Sequence, residues 1–228
     1  MAEPKLCALD LDGTLVDSQH HIVAAMTEAF TSEGENPPTP DAVRQIVGLP
    51  LDVALRRLAP GIGGLQVERL GQAYRDAYFD ARAGDRQPEP LFPGTLEALD
   101  ALEAGGWLLA VVTGKGRRGL LSVLDAHGIR NRFVALKSAD DGPGKPDPTS
   151  LRDAMAEAGS EPGRTVMVGD TTFDMQTAVN ARIAAGIGVS WGYHDAARLQ
   201  AAGSVIILDR FDQLAPVADR LVDPHREV

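Results

Sequence analysis

Cysteine is almost missing from this chain. Cys7 is the only one in 228 residues, which excludes an internal disulfide. Within its apolar run it reads as a small core residue. Aromatic residues are few, at 5 %. No apolar run approaches the ~20 residues of a membrane helix, and the N-terminal residues lack the apolar stretch of a secretory signal, so a soluble, cytoplasmic protein is expected. Basic residues are outnumbered, 22 Lys and Arg against 32 Asp and Glu, for a formal net charge of −10. That balance opposes binding to nucleic acid or to an anionic membrane, and neither is expected as a partner. It also requires any phosphate site to be made positive locally, by particular lysines and a metal ion. Internal repeats and low-complexity segments are absent. Oligomeric state leaves no mark in the sequence, and a monomer is compatible with it.

What is present is ordinary for a globular protein: 44 % hydrophobic and 24 % charged residues, in a chain long enough to bury a sizeable core. A strand is expected over 5–10. Ser18 is placed to cap a helix through Ile22, Val23, Met26 and Phe30, ending near Gly34. Pro37, Pro38 and Pro40 then break the chain. Short helical patterns follow at 41–47 and 51–58, and a longer amphipathic one at 65–81. Residues 84–93 carry three prolines and read as a linker. Helices at 94–104, 117–127, 148–158 and 173–184 then alternate with strands at 107–112, 132–136, 165–168, 186–189 and 205–208. Such alternation implies an α/β fold with a doubly wound parallel sheet. The all-helical block 16–84, inserted after the first strand, is expected to form a small domain beside a core made of 1–15 and 85–228.

The chemistry gathers where strands end. Asp10-Leu11-Asp12-Gly13-Thr14 follows the first apolar run, and the i, i+2 spacing turns both carboxylates to one side and Leu11 to the other. Close carboxylates resist joint ionisation, so one is expected to hold a proton while its neighbour stays charged. Thr113-Gly114-Lys115 ends the run 107–112. Gly169-Asp170-Thr171-Thr172-Phe173-Asp174 ends the run 165–168. Between these segments lies Gly144-Lys145-Pro146-Asp147-Pro148. Ligands of open α/β sheets bind beyond such strand ends. Aspartates there suit a cation, and a hydroxyl with a lysine suits an anion.

Other patterns carry less. Residues 114–119 match GxGxxG, but a dinucleotide site normally uses the first strand–helix turn and an acidic residue about 20 positions on, where this chain has Lys137. Gly144-Lys145 is not a Walker loop, since Pro146 stands at the Ser/Thr place. His20 and His21 diverge on a helix and do not suggest a shared metal. Arg56-Arg57 and Arg117-Arg118 read as solvated faces.

On DLDGT at 10–14, Thr113 after a strand, Lys145 in GKPDP and GDTTFD at 169–174, the chain resembles the haloacid dehalogenase superfamily. The helical insert resembles the cap of its phosphoglycolate phosphatase-like group, and Trp191-Gly192-Tyr193 also matches that group. The resemblance implies a Rossmann-like core with a helical cap, and a phosphatase acting on a small phosphorylated metabolite. It implies Asp10 as nucleophile and Asp12 as general acid and then base. Thr113, Gly114 and Lys145 would bind phosphate, and Lys115 the phosphate or the rest of the substrate. Mg²⁺ would be held by the Asp10 carboxylate, the Asp12 backbone carbonyl and the Asp170 carboxylate. Asp174, read as one helical turn beyond Asp170, would orient a metal water or Lys145. The loop at Gly48 and Leu49 would face the substrate, or simply end a helix. An aspartate at position 12 argues against dehalogenase and phosphonatase activity, and the loop 48–51 lacks the arginine of the β-phosphoglucomutase-like members. Phosphoglycolate leads among substrates. Pyrophosphate, nucleotides, sugar phosphates, a mutase and a non-enzymatic phosphate-binding module stay open. Gly114 is a departure, because that group more often has Asn there.

Overall fold

The computed structural model describes residues 3–84 and 89–223. Six parallel strands form one sheet in the order β3-β2-β1-β4-β5-β6. These are β1 (Lys5–Leu9), β2 (Trp107–Val112), β3 (Phe133–Lys137), β4 (Thr165–Gly169), β5 (Ala185–Val189) and β6 (Ser204–Leu208). Strands β1, β4 and β5 are buried at every position, which is why they read as continuous apolar runs without alternation. One apolar cluster, with Leu9, Leu99, Val111 and Val168, packs one face, and a second, with Leu6, Ala110, Leu151 and Met167, packs the other. Leu11 lies in the first cluster, just past the end of β1.

Helices α1 (Gln19–Ser32), α2 (Pro40–Arg44), α3 (Leu51–Leu58) and α4 (Gly64–Gly84) lie between β1 and β2 in the chain. They bury a further apolar cluster, with Met26, Phe30, Leu55 and Leu70, which Phe173 joins from outside the four helices. The crossing points are pinned by backbone pairing: Asp17 donates to the Pro90 carbonyl at 2.8 Å, and Phe92 to the Leu15 carbonyl at 3.0 Å. Residues 85–88 of the expected linker lie outside the described residues.

The remaining helices are α5 (Thr95–Ala104), α6 (Arg117–Ala126), α7 (Thr149–Ala158), α8 (Thr172–Ala181), α9 (Ala196–Ala201) and α10 (Leu214–Val222). Several local expectations need correction. Strand β1 stops at Leu9, so Asp10 and Asp12 stand on the turn after it. Ser18 makes no capping bond to α1; its hydroxyl pairs with that of Tyr193 at 3.0 Å. Helix α2 starts under a Thr39 cap, whose Oγ1 accepts from the Ala42 amide at 3.2 Å, and ends at Arg44. Helices α9 and α10 were not foreseen. In α10, Pro216 looks like a breaker, but it sits in the first turn, where amides lack intrahelical partners anyway. Among the described residues, no helix is long and apolar enough to cross a membrane.

Candidate active site

The C-terminal ends of β1, β2 and β4 converge on four buried carboxylates and two buried ammonium groups. Asp10 is 1 % exposed. Its Oδ1 accepts the Leu11 amide at 2.7 Å, and its Oδ2 lies 2.8 Å from Lys145 Nζ. The loop before α7 brings Lys145 inward to 3 % exposure, where Nζ also meets Asp174 Oδ1 at 2.5 Å.

Asp174 does two jobs from one carboxylate. Its Oδ2 accepts the Thr171 amide at 2.9 Å and the Thr171 hydroxyl at 2.6 Å, which forms the capping box of α8. The Thr171-x-x-Asp174 spacing is that of a capping box and was available to sequence reasoning. Asp170 precedes the helix, so the two aspartates are related through this cap rather than as neighbours on one helical face. Asp174 thus touches Lys145, one of the two groups it was expected to orient.

Asp170 is fully buried. Thr14 Oγ1 donates to its Oδ1 at 3.0 Å and the Tyr193 amide to its Oδ2 at 2.8 Å. Gly13, at φ +83°, permits this closeness, because a Cβ there would strike Asp170 Oδ2 and the Tyr193 ring. Thr14, Thr171 and Tyr193 are thus supporting residues that motif reading did not single out as such.

Asp12 and Lys115 meet directly, a contact the sequence did not foresee. Lys115 Nζ reaches Asp12 Oδ1 at 2.9 Å and Oδ2 at 3.2 Å, and stands 4.5 Å from the Tyr78 ring centre. Asp12 therefore has an ammonium partner as well as like-charged neighbours. Thr113 is 6 % exposed; its amide donates to the Lys137 carbonyl at 2.9 Å, and its Oγ1 accepts the Lys115 amide at 3.2 Å.

Burial dominates the electrostatics. It pushes Asp10 up to about 7, with Lys145 opposing and Asp174 and Asp12 adding to the rise. Asp170 is raised well above the carboxylate range by burial, then by Asp10 and Asp174. Lys145 is raised too: burial works against its charge, and Asp10 and Asp174 more than offset it. With every group ionised, Asp10, Asp12, Asp170 and Asp174 exceed Lys115 and Lys145 by two negative charges. Oxygens of Asp10, Asp170 and Asp174 lie within 4.8 Å of one another. Among the described residues, Asp10 Oδ2 has the Lys145 ammonium as its partner and no further hydrogen bond. An all-oxygen donor set with surplus negative charge fits a hard divalent cation such as Mg²⁺. Asp10, Asp170 and Asp174 each bring one carboxylate oxygen to such a site.

A cavity of about 500 Å³ opens above this cluster, lined by Asp10, Asp12, Thr113, Gly114 and Lys115 below and by residues of α1, α3, α4 and the loop 46–50 above. Gly48 and Leu49 both line it. The loop is seated tightly on the core. A Cβ at Gly114 would collide with the Gly48 carbonyl, and one at Gly144 with the Pro50 ring. Gly114 therefore has a packing reason: the loop backbone occupies the space that an Asn side chain would need.

The decoy patterns resolve locally. The first turn of α6 has its Arg117 amide bonded to Asp140 Oδ2 at 2.7 Å. Arg57 and Arg118 do not simply face water; their guanidinium groups lie 5.3 Å and 3.8 Å from the ring centres of Phe173 and Phe79.

The chain is similar to known proteins over most of its length. The family described as "Haloacid dehalogenase-like hydrolase" matches residues 8–187. "Probable phosphatase IndB" of Dickeya dadantii is 35 % identical over 220 residues, covering 95 % of this chain and 94 % of that protein. The phosphoglycolate phosphatase of Pseudomonas putida is 32 % identical over 216 residues, covering 93 % and 79 %. A solved structure described as a predicted phosphoglycolate phosphatase from Haemophilus somnus superposes with a TM-score of 0.83 at 25 % identity, covering 95 % of this chain and 99 % of that one. The chain belongs to the haloacid dehalogenase-like hydrolases and, with relatives named phosphatases along nearly its whole length, is a phosphoric monoester hydrolase of that family.

Proposed function

We propose that the protein hydrolyses a phosphomonoester of a small metabolite through a phosphorylated Asp10, with Mg²⁺ as cofactor. The observation that carries this reading is the cluster at the ends of β1 and β4: Asp10 buried within 2.8 Å of Lys145, with Asp170 beside it.

Asp10 attacks phosphorus, and the ester oxygen leaves. A carboxylate nucleophile divides one hard displacement into two easier ones. Lys145 and the Thr113 hydroxyl, with the Gly114 amide, hold the phosphoryl oxygens where charge is concentrated. Asp12 delivers a proton to the departing alkoxide and later takes one from the water that cleaves the aspartyl-phosphate. Lys115 orients Asp12 and balances its carboxylate once the proton has gone. Asp174 keeps Lys145 in place. Mg²⁺, when bound by Asp10 and Asp170, supplies the charge that lets an anionic nucleophile approach an anionic phosphate. Residues 16–84 act as a cap that excludes water and reads the leaving group through the loop at Gly48 and Leu49.

Phosphoglycolate, which appears in the names of several relatives, is the first ester to test. Hydrolysis of acetyl phosphate and of a panel of alkyl phosphates is measured with Mg²⁺ and after EDTA. The expected result is turnover that EDTA abolishes. Asp12→Asn protein is expected to retain label from ³²P-phosphate ester on Asp10. Full activity in EDTA-treated protein, or no trapped label, would overturn the reading.

A further inference from the structure

The upper part of the cavity carries Asp52, Gln72 and Asp76, but much of its wall is apolar. Ile22 and Met26 from α1, Ile46 and Leu49 from the loop, and Tyr74 and Phe79 from α4 line it. At about 500 Å³ the space falls within the ~300–1,000 Å³ of sites for drug-sized ligands. A glycolate leaving group would leave most of it unfilled.

Charge points the same way. Among the described lining residues, the cations are Arg75, Lys115 and Arg118. Lys115 is already engaged by both oxygens of Asp12. Arg75 and Arg118 are exposed at the rim. Arg75 donates to Gln72 Oε1 at 3.1 Å, and Arg118 stacks on Phe79. The carboxylate of glycolate lies only one methylene from the ester oxygen. It would therefore enter beside Asp12 and against apolar side chains, where it must share the Lys115 ammonium with Asp12. A buried carboxylate without a full counter-charge is disfavoured. An uncharged ring in the same place removes apolar surface from water on both partners.

Building on the phosphatase reading above, we infer that the substrate is a phosphomonoester of an uncharged, ring-bearing alcohol, with the ring seated between α1 and α4. The class follows from the lining: a phosphate end over Asp10 and Thr113, an apolar middle, and a polar outer edge at the arginines.

The test compares three primary alkyl phosphates of similar intrinsic reactivity: ethyl phosphate, phosphoglycolate and 2-phenylethyl phosphate. Acetyl phosphate, small and activated, reports on the core chemistry alone. The kcat/KM for 2-phenylethyl phosphate is expected to exceed that for ethyl phosphate by at least ~10-fold, the scale of one or more buried methylene-sized contacts. Phosphoglycolate is expected to fall at or below ethyl phosphate. Phe79→Ala and Ala54→Leu, which remove and fill lining space respectively, should each shrink the ratio of phenylethyl to ethyl ester several-fold. Phosphoglycolate outrunning both other esters, or equal rates for ethyl and phenylethyl esters, would overturn the inference while leaving the phosphatase reading intact. Failure to hydrolyse acetyl phosphate in the presence of Mg²⁺ would overturn the phosphatase reading and this inference with it.

Discussion

Lys115 Nζ bridges the two oxygens of Asp12, at 2.9 and 3.2 Å. The pair is buried, with both side chains 9 % exposed. The ammonium thus fixes the direction of the carboxylate that the proposed mechanism uses twice. Lys115→Met should slow single-turnover cleavage of alkyl phosphates by ~10²-fold, the lower end of what a placed general acid contributes. Nitrophenyl phosphate, whose leaving group hardly needs a proton, should lose much less. Lys115→Arg should recover part of the rate. Equal losses for the two ester types would show that Lys115 acts on the phosphate and not through Asp12.

Asp10→Asn should abolish turnover by at least ~10³-fold, as expected when a covalent catalyst is removed. The amide keeps the shape of the side chain, so circular dichroism and gel filtration should match the parent protein. Near-native activity would place the nucleophile elsewhere.

The same substitution should change how stability responds to pH. Burial raises Asp10 from 3.8 to about 7, so between those values the folded state binds a proton that the unfolded state has released. Stability therefore falls as pH rises from ~4 to ~7 and levels off above. In EDTA, the Tm of the parent protein should drop over that interval, and Asp10→Asn should flatten the drop. Mg²⁺ should raise the parent Tm most at the upper end, because it binds the ionised form. A Tm that climbs over the interval in EDTA would contradict the assigned direction.

Gly114→Asn restores the residue more common in the phosphoglycolate phosphatase-like group, yet here its Cβ meets the Gly48 carbonyl. The loop must withdraw. Amide hydrogen exchange over 46–51 should quicken and kcat/KM should fall at least ~10-fold for alkyl esters, if the loop excludes water from the site as proposed. Unchanged exchange would mean that the loop accommodates the side chain.

Thr171→Ala removes the α8 cap but leaves Asp174 on Lys145, and should cost ~1 kcal/mol of stability with a modest effect on kcat. Asp174→Ala removes both contacts. It should cost more stability and lower kcat by an order of magnitude or more beyond Thr171→Ala. Identical kcat values for the two variants would deny Asp174 its hold on Lys145.

Local order along the chain determined much of this protein in advance. Continuous apolar runs at 107–112 and 165–168 are long enough for strands buried on both faces and too short for helices. Their alternation with amphipathic helices leaves a parallel sheet as the economical packing. Asp10, Thr113, Lys145 and Asp170 announced themselves because each follows such a run or stands in a turn rich in Gly and Pro. The sequence could not show which ammonium meets which carboxylate. Lys115 on Asp12 and Lys145 between Asp10 and Asp174 are contacts across 103, 135 and 29 positions, set by how sheet ends and loops converge. Tertiary packing also decided that Gly114 makes room for the Gly48 backbone and that α1 and α4 roof the cavity with Met26, Tyr74 and Phe79. Periodicity marks such side chains as apolar and inward-facing. Whether inward means a packed core or an open pocket depends on how closely the neighbouring layer approaches, and only the folded chain sets that distance.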